Sequence, residues 1–271
     1  HGNMFGIKEL FDYCNKVNGA RKGEGKELFK PIFGCEVYVA HHKKTDKVKD
    51  HGDMGGNHLI LLAKNYIGYK NLIKLVSHAW VDGYYMRPRT DHDDLEKYHE
   101  GLIVCSACIA GEVPSKILKG DINGARKALE WYKRVFGDDY YLELQRHEVK
   151  DPNIRANRET FPLQQKANRE IIELAKEYGV KLVCTNDSHF VDKENAEAHD
   201  HLLCISTGKD LDDPSRMLYS KQEWFKTREE MNDIFSDVPE AMSSTVEILD
   251  KVEFYDIEHS PIMPFFPIPE S

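Results

Sequence analysis

Five short runs of apolar and β-branched residues recur along this chain, and what lies between them decides the fold class. The runs are PIFGCEVYVA (31–40), NHLILLAK (57–64), GLIVCSAC (101–108), YYLELQR (140–146) and VKLVCTND (180–187). Each is long enough for one strand, and β-branched residues and flanking turn residues favour strand over helix. Between them stand stretches with helical spacing of apolar residues: 66–80, with Leu72, Leu75 and Val76 on one face, then 122–136 and 164–178. The same spacing predicts a helix over 4–17 with Phe5, Leu10, Phe11 and Cys14 turned inward. A further helix is predicted over 237–252, with Asp237 as N-cap and Pro239 in the first turn. Strands that are almost continuously apolar, alternating with helices, call for a parallel sheet covered by helices. No glycine-rich phosphate loop follows any strand, which favours an α/β barrel over an open doubly wound sheet.

A chain of 271 residues can bury a substantial core, as one large domain or two small ones. It contains no apolar run of about 18 residues that could span a membrane, and no signal-like apolar segment near its first residue. The net charge of −9 argues against wrapping duplex DNA with the whole surface, because such binding is driven by phosphate neutralisation. The densest basic stretch, HHKKTDKVKD (41–50), reads as a solvated loop or a local patch. Cysteines stand at 14, 35, 105, 108, 184 and 204, mostly inside strand-like runs where a free thiol packs as a small hydrophobe. A reduced, cytoplasmic protein is expected. Cys105 and Cys108 form a C-x-x-C with no second pair, which excludes a four-cysteine zinc knuckle. The tail SPIMPFFPIPES (260–271), with prolines at 261, 264, 267 and 269, is expected to be an extended connector leaving a domain of residues 1–259.

In α/β barrels the functional groups gather where strands end and the next loops begin. Those positions here hold Glu36, Cys108, His147 and the pair Asp187 and His189. All are metal-ligand types: carboxylate oxygen, thiolate sulfur and imidazole nitrogen. Taken singly, each has a plainer reading as a core cysteine or a hydrogen-bonded histidine. Glu36 resists that, since a charge flanked by strand residues needs a partner. Five such residues at successive strand ends point together to a metal site.

These residues lie in motifs that identify a family. HGNMFG looks like the continuation of a T-D-H-G-N-M-F-G motif, and PIFGCEVYV, NHLILLAKNYIGYKNLIKLVS, GLIVCSACIAGEVP, YYLELQRH and TNDSHFVD follow in order. With AHDHLLCISTGKDLDD and DIFSDVPEAMSSTVEI, the chain resembles the PHP (polymerase and histidinol phosphatase) domain at the N-terminus of bacterial replicative DNA polymerase III alpha subunits. The last two motifs resemble the polymerase branch rather than free-standing histidinol-phosphate-type phosphatases.

The resemblance implies a distorted (β/α)7 barrel holding up to three divalent metals. It implies His1, Glu36, Cys108, His147, Asp187 and His189 as metal ligands, with His58 as a less certain ligand or a supporting residue. Family members carry an upstream strand with H-x-H before the T-D-H motif, whereas this sequence begins at that motif's histidine. A PHP domain lacking its first strands is therefore expected, with at least one metal position incomplete. The implied chemistry is metal-assisted phosphoester hydrolysis, such as 3′–5′ exonuclease action, with zinc or manganese favoured by the mixed donor set. The competing implication is a non-catalytic, metal-stabilised scaffold bracing the polymerase. Expected partners are the remaining polymerase domains, replisome subunits, and DNA through the polymerase.

Overall fold

A computed structural model describes residues 1–47, 55–149, 151, 155 and 159–267. Six strands form one sheet in the order β3-β1-β2-β4-β5-β6. They are β1 (Gly34–Val39), β2 (Asn57–Ala63), β3 (Arg89–Thr90), β4 (Leu102–Cys105), β5 (Tyr140–Leu144) and β6 (Lys181–Cys184). β4, β5 and β6 pair in parallel, as do β1 and β3. β2 is antiparallel to both its neighbours, β1 and β4. This corrects the expectation of an all-parallel sheet. The described strands give a mixed α/β fold in which β3 and β6 end the sheet.

The five expected strands form, each shorter than its apolar run, and the two-residue β3 adds to them. Strand periodicity then sorts side chains onto two different faces. Cys35, Val37 and Val39 of β1, Leu59 and Leu61 of β2, Val104, Leu142 and Leu182 face one side and form the main core. Helices cover that side: α2 (Tyr66–Val81), α3 (His92–Lys97), α4 (Glu112–Leu118), α5 (Ile122–Phe136) and α6 (Phe161–Tyr178), while α1 (Ile7–Gly23) packs Ile7 and Phe11 in a separate cluster with Phe33 and Ile257. α2 and α5 start where asparagine or aspartate can cap them: Asn65 accepts from the Gly68 amide at 3.0 Å and Asp121 from the Gly124 amide at 2.8 Å. Gly68 also lies so close to the Gly101 carbonyl that a Cβ there would stand 1.8 Å from its oxygen. The opposite face carries a smaller apolar cluster of Ile103, Cys105, Tyr141 and Val183, closed by Ile248 and Val252. Ile248 belongs to α9 (Pro239–Lys251), which follows α7 (Ala196–Thr207) and α8 (Arg228–Ile234).

Two local expectations are corrected. α1 starts at Ile7 and not at residue 4, so Phe5 precedes the helix and is 90% exposed, and Leu10 is also exposed, while Phe11 and Cys14 are buried. α9 is capped at Val238 with no side-chain bond; Asp237 instead makes a two-point ion pair with Arg146 at 2.5 and 2.9 Å. The basic stretch from residue 41 is an exposed loop over its described part, in line with its reading as a solvated loop. Lys43 pairs with Asp93, and Lys44 lies 3.0 Å from Asp94; residues 48–50 lie outside the described residues. All six cysteines are free. Among the described residues no helix is long and apolar enough to cross a membrane.

Candidate metal centre

The reversal of β2 explains how the site is assembled. Because β2 runs against its neighbours, its first residues lie at the sheet edge where the other strands end. Tyr38 faces His58 across the β1–β2 register, so Glu36, Tyr38 and His58 share the face opposite the main core. His1 is brought to them by its neighbours. The Gly2 amide donates to the Glu36 carbonyl at 2.7 Å, Trp80 Nε1 donates to the Gly2 carbonyl at 2.6 Å, and the Cys35 thiol donates to the Asn3 carbonyl at 3.3 Å. The His1 ring stacks on Tyr38 with centroids 5.0 Å apart.

Three side chains then converge on one atom, His58 Nδ1. Glu36 Oε1 lies 2.9 Å away, His1 Nε2 3.3 Å and Cys108 Sγ 3.4 Å. His1 Nε2 is itself 3.0 Å from Glu36 Oε1. A ring nitrogen offers either one N–H or one lone pair, so hydrogen bonding cannot satisfy three such neighbours. Donors sharing a tetrahedral cation, with bonds of about 2.0–2.3 Å, stand roughly 3.3 Å apart. The donor atoms of His1, Glu36 and His58 all lie within 4.8 Å of one another, and Cys108 stands beside that triad. The residues present fit a divalent metal.

The remaining expected ligands sit in a second group. His147 is buried, and its surroundings fix its tautomer. The Gln164 Oε1 accepts from the His147 amide at 2.9 Å, so the Gln164 Nε2 donates to Nδ1 at 3.0 Å, and Nε2–H donates to the Asn186 carbonyl at 3.0 Å. Burial lowers its pKa, which keeps the ring neutral. The Glu223 carboxylate lies 3.5 Å from Nδ1, is itself buried, and leaves its Oε2 without a hydrogen-bond partner. His189 donates from Nδ1 to the Asp187 carbonyl at 2.6 Å and accepts from the Tyr219 hydroxyl at Nε2, 3.1 Å away. Asp187 adopts a left-handed backbone (φ 48°), which few residues other than glycine and asparagine or aspartate take readily.

The two groups share one electrostatic neighbourhood. Burial raises the Asp187 carboxyl, and Glu36 and Glu223 push it further, against the pull of His189 and His147. Burial also holds the Cys108 thiol far above its ordinary value, with Asp187 adding to the effect. A buried carboxyl raised by neighbouring carboxylates in this way is the setting a cation relieves. His58, the less certain ligand on sequence grounds, is the centre of the first group. Tyr38, Tyr219 and Glu223 do not stand out in the sequence; the last two come from a stretch with no strand or helix pattern. Glu143 carries the same sequence signal as Glu36, a carboxylate within an apolar strand, and is a buried residue that strand-end reasoning misses.

The PHP domain family matches residues 1–147. The chain is 42% identical to a DNA polymerase III subunit alpha of Borreliella burgdorferi over 99% of its length and 22% of the relative's. It is 39% identical to that of Campylobacter jejuni over 93% of this chain and 20% of the relative. Against that of Thermus aquaticus the figures are 36%, 100% and 21%. The chain thus spans about a fifth of the length of the curated relatives it matches. With the family match covering more than half of its residues, the chain belongs to the PHP domain family.

Proposed function

We propose that this chain is the metal-binding PHP module of a bacterial replicative DNA polymerase, and that its centre hydrolyses phosphoesters at a 3′ end. The observation that carries the metal reading is the convergence of His1, Glu36 and Cys108 on His58 Nδ1. His1, Glu36 and His58 would hold the ion, and the mixture of nitrogen, oxygen and adjacent sulfur favours zinc or manganese over magnesium. A bound ion would lower the pKa of a water and neutralise phosphate oxygens. Asp187, His189 and His147 are proposed as the further ligands. The polymerase reading rests on the names of the relatives, and it makes the whole polypeptide a cytoplasmic DNA-directed DNA polymerase with replisome subunits and DNA as partners. Residues 1–259 are read as the PHP unit, its sheet as part of a (β/α)7-type barrel, and the segment from 260 as the connector to the rest of that polypeptide. The exposure of Ile262, Met263, Phe265 and Phe266 supports the last point.

A second reading, a metal-stabilised scaffold without turnover, is favoured by His147 and His189, whose ring nitrogens are all engaged in hydrogen bonds. One experiment separates the two. The chain is stripped with chelator, reloaded with zinc or manganese, and assayed for metal content and for release of the 3′ nucleotide from a single-stranded oligonucleotide. The hydrolytic reading expects both, and expects His58→Ala to weaken metal binding by more than the roughly 10–100-fold typical of outer-shell changes. Metal without turnover establishes the scaffold; a chain that takes up no metal sinks both.

A further inference from the structure

We propose that Lys193, Trp224, Phe225 and Lys226, with Arg228 beside them, form a binding surface for single-stranded nucleic acid. The proposal extends the phosphoester reading by naming the polymer presented to the centre, and rests on that reading for its purpose. The surface is tied to the loop that carries Asp187 and His189. The Trp224 carbonyl accepts from Asn186 Nδ2 at 2.8 Å and from Ser188 Oγ at 3.2 Å. The His189 amide donates to the Glu223 carbonyl at 2.8 Å, and the Phe225 amide to the Phe190 carbonyl at 3.0 Å. Residues 223–225 therefore run bonded alongside 189–190, next to the candidate centre.

Phe225 is 75% exposed. Lys226 Nζ lies 3.3 Å and Lys193 Nζ 5.4 Å from the centre of the Trp224 ring. Among the described residues, neither lysine nor Arg228 forms an ion pair with a carboxylate, whereas Lys43, Lys44 and Arg216 elsewhere do. Glu223 and Glu230 act on Lys226 through space, Lys226 itself donates to the Gln222 carbonyl, and Glu230 is engaged in capping its own helix at Thr227. In a chain of net charge −9, cations without a carboxylate ion pair, grouped around the exposed Phe225 and the half-buried Trp224, suit an anionic partner with flat apolar faces. Single-stranded nucleic acid supplies both, phosphates for the cations and bases for the ring. Phe225, Lys226 and Arg228 also line one end of a groove of about 1240 Å³ between α8 and α9, which gives a strand room to lie. Glu247, further along the same groove, is already engaged by Lys181 and Lys251.

The test uses the full 271-residue chain in chelator, so that binding is read without cleavage. The probes are a labelled oligothymidylate and an abasic strand of equal charge, followed by fluorescence anisotropy. Oligothymidylate is expected to bind and to quench tryptophan fluorescence, and Trp224→Phe to abolish the quenching. Phe225→Ala is expected to weaken oligothymidylate binding about tenfold, the scale of one base stacked on an aromatic ring, and to leave the abasic strand unaffected. Lys193→Gln and Lys226→Gln should weaken both probes and flatten the logarithmic salt slope by about 0.7 for each phosphate that is no longer neutralised. Phe225 is exposed, so its variant keeps the test sound should a lysine variant fail to fold. Equal binding of both probes, wild-type affinity in the variants, or full competition by an acidic peptide or anionic vesicle overturns the proposal. Loss of nuclease activity with binding intact would count against the phosphoester reading alone.

Discussion

Glu143 is the residue whose behaviour the surrounding chemistry dictates most directly. It is buried in β5, accepting from the Ala107 amide at 3.0 Å, from Gln145 Nε2 at 3.0 Å and from the Thr185 hydroxyl. Burial outweighs those bonds and raises its pKa from 4.5 to about 7. The folded chain therefore keeps a proton that the unfolded chain has lost. Its contribution to stability is complete below about pH 4.5 and falls as pH rises to about 7, by on the order of 3 kcal/mol. Denaturant unfolding of the chelated chain at pH 5 and pH 8 should show that decline, and Glu143→Gln should flatten it; a metal-free chain that gains stability over this window would show Glu143 already charged in the fold. Among site residues, Glu36 is legible in the sequence because a carboxylate inside an apolar strand has no ordinary explanation. His58 is harder to read because its place depends on the direction of β2, which the pattern of a single strand does not encode.

At the scale of elements, α2 shows both what local sequence declares and what it conceals. Its apolar spacing and its Asn65 cap are local features, as are the limits of α5, where Asp121 and a repeating buried stripe coincide. The close approach of Gly68 and Gly101 is not, since it joins residues far apart in sequence. Asn65→Ala is expected to cost about 1 kcal/mol through the missing cap. Gly68→Ala should cost more, about 1–3 kcal/mol, because the added methyl meets backbone that cannot step aside. Equilibrium unfolding in urea ranks the two, and the reverse order would mean that the helix start shifts freely. α7 leaves little trace in the sequence for a physical reason: only Ala196 and Cys204 are buried on it, so there is no apolar period to find. β3 is a two-residue pairing, too short to leave any pattern.

For the molecule as a whole, the alternation of strands and helices is enough to predict a sheet covered by helices, and the strand-end rule finds Glu36 of the converging triad but neither His1 nor His58. Strand order and the single reversal are set by long-range pairing and stay out of its reach. Assembly around a cation gives a further expectation. An ion present at about a thousandfold over its dissociation constant adds about 4 kcal/mol to folding, which for a chain of this size moves the thermal midpoint by roughly 10 °C. Melting curves with and without chelator measure it, and coincident midpoints would separate the His58 cluster from folding. The reversal of β2 has one more consequence, for how such a domain can diversify. Val39 and Asn57 face each other in register, so the connection between them leaves and returns at the rim of the centre. Residues gained or deleted there leave every strand pairing in place. A lineage can thus vary loop length at the rim of the candidate centre, while the residues grouped around His58 inherit an unaltered frame.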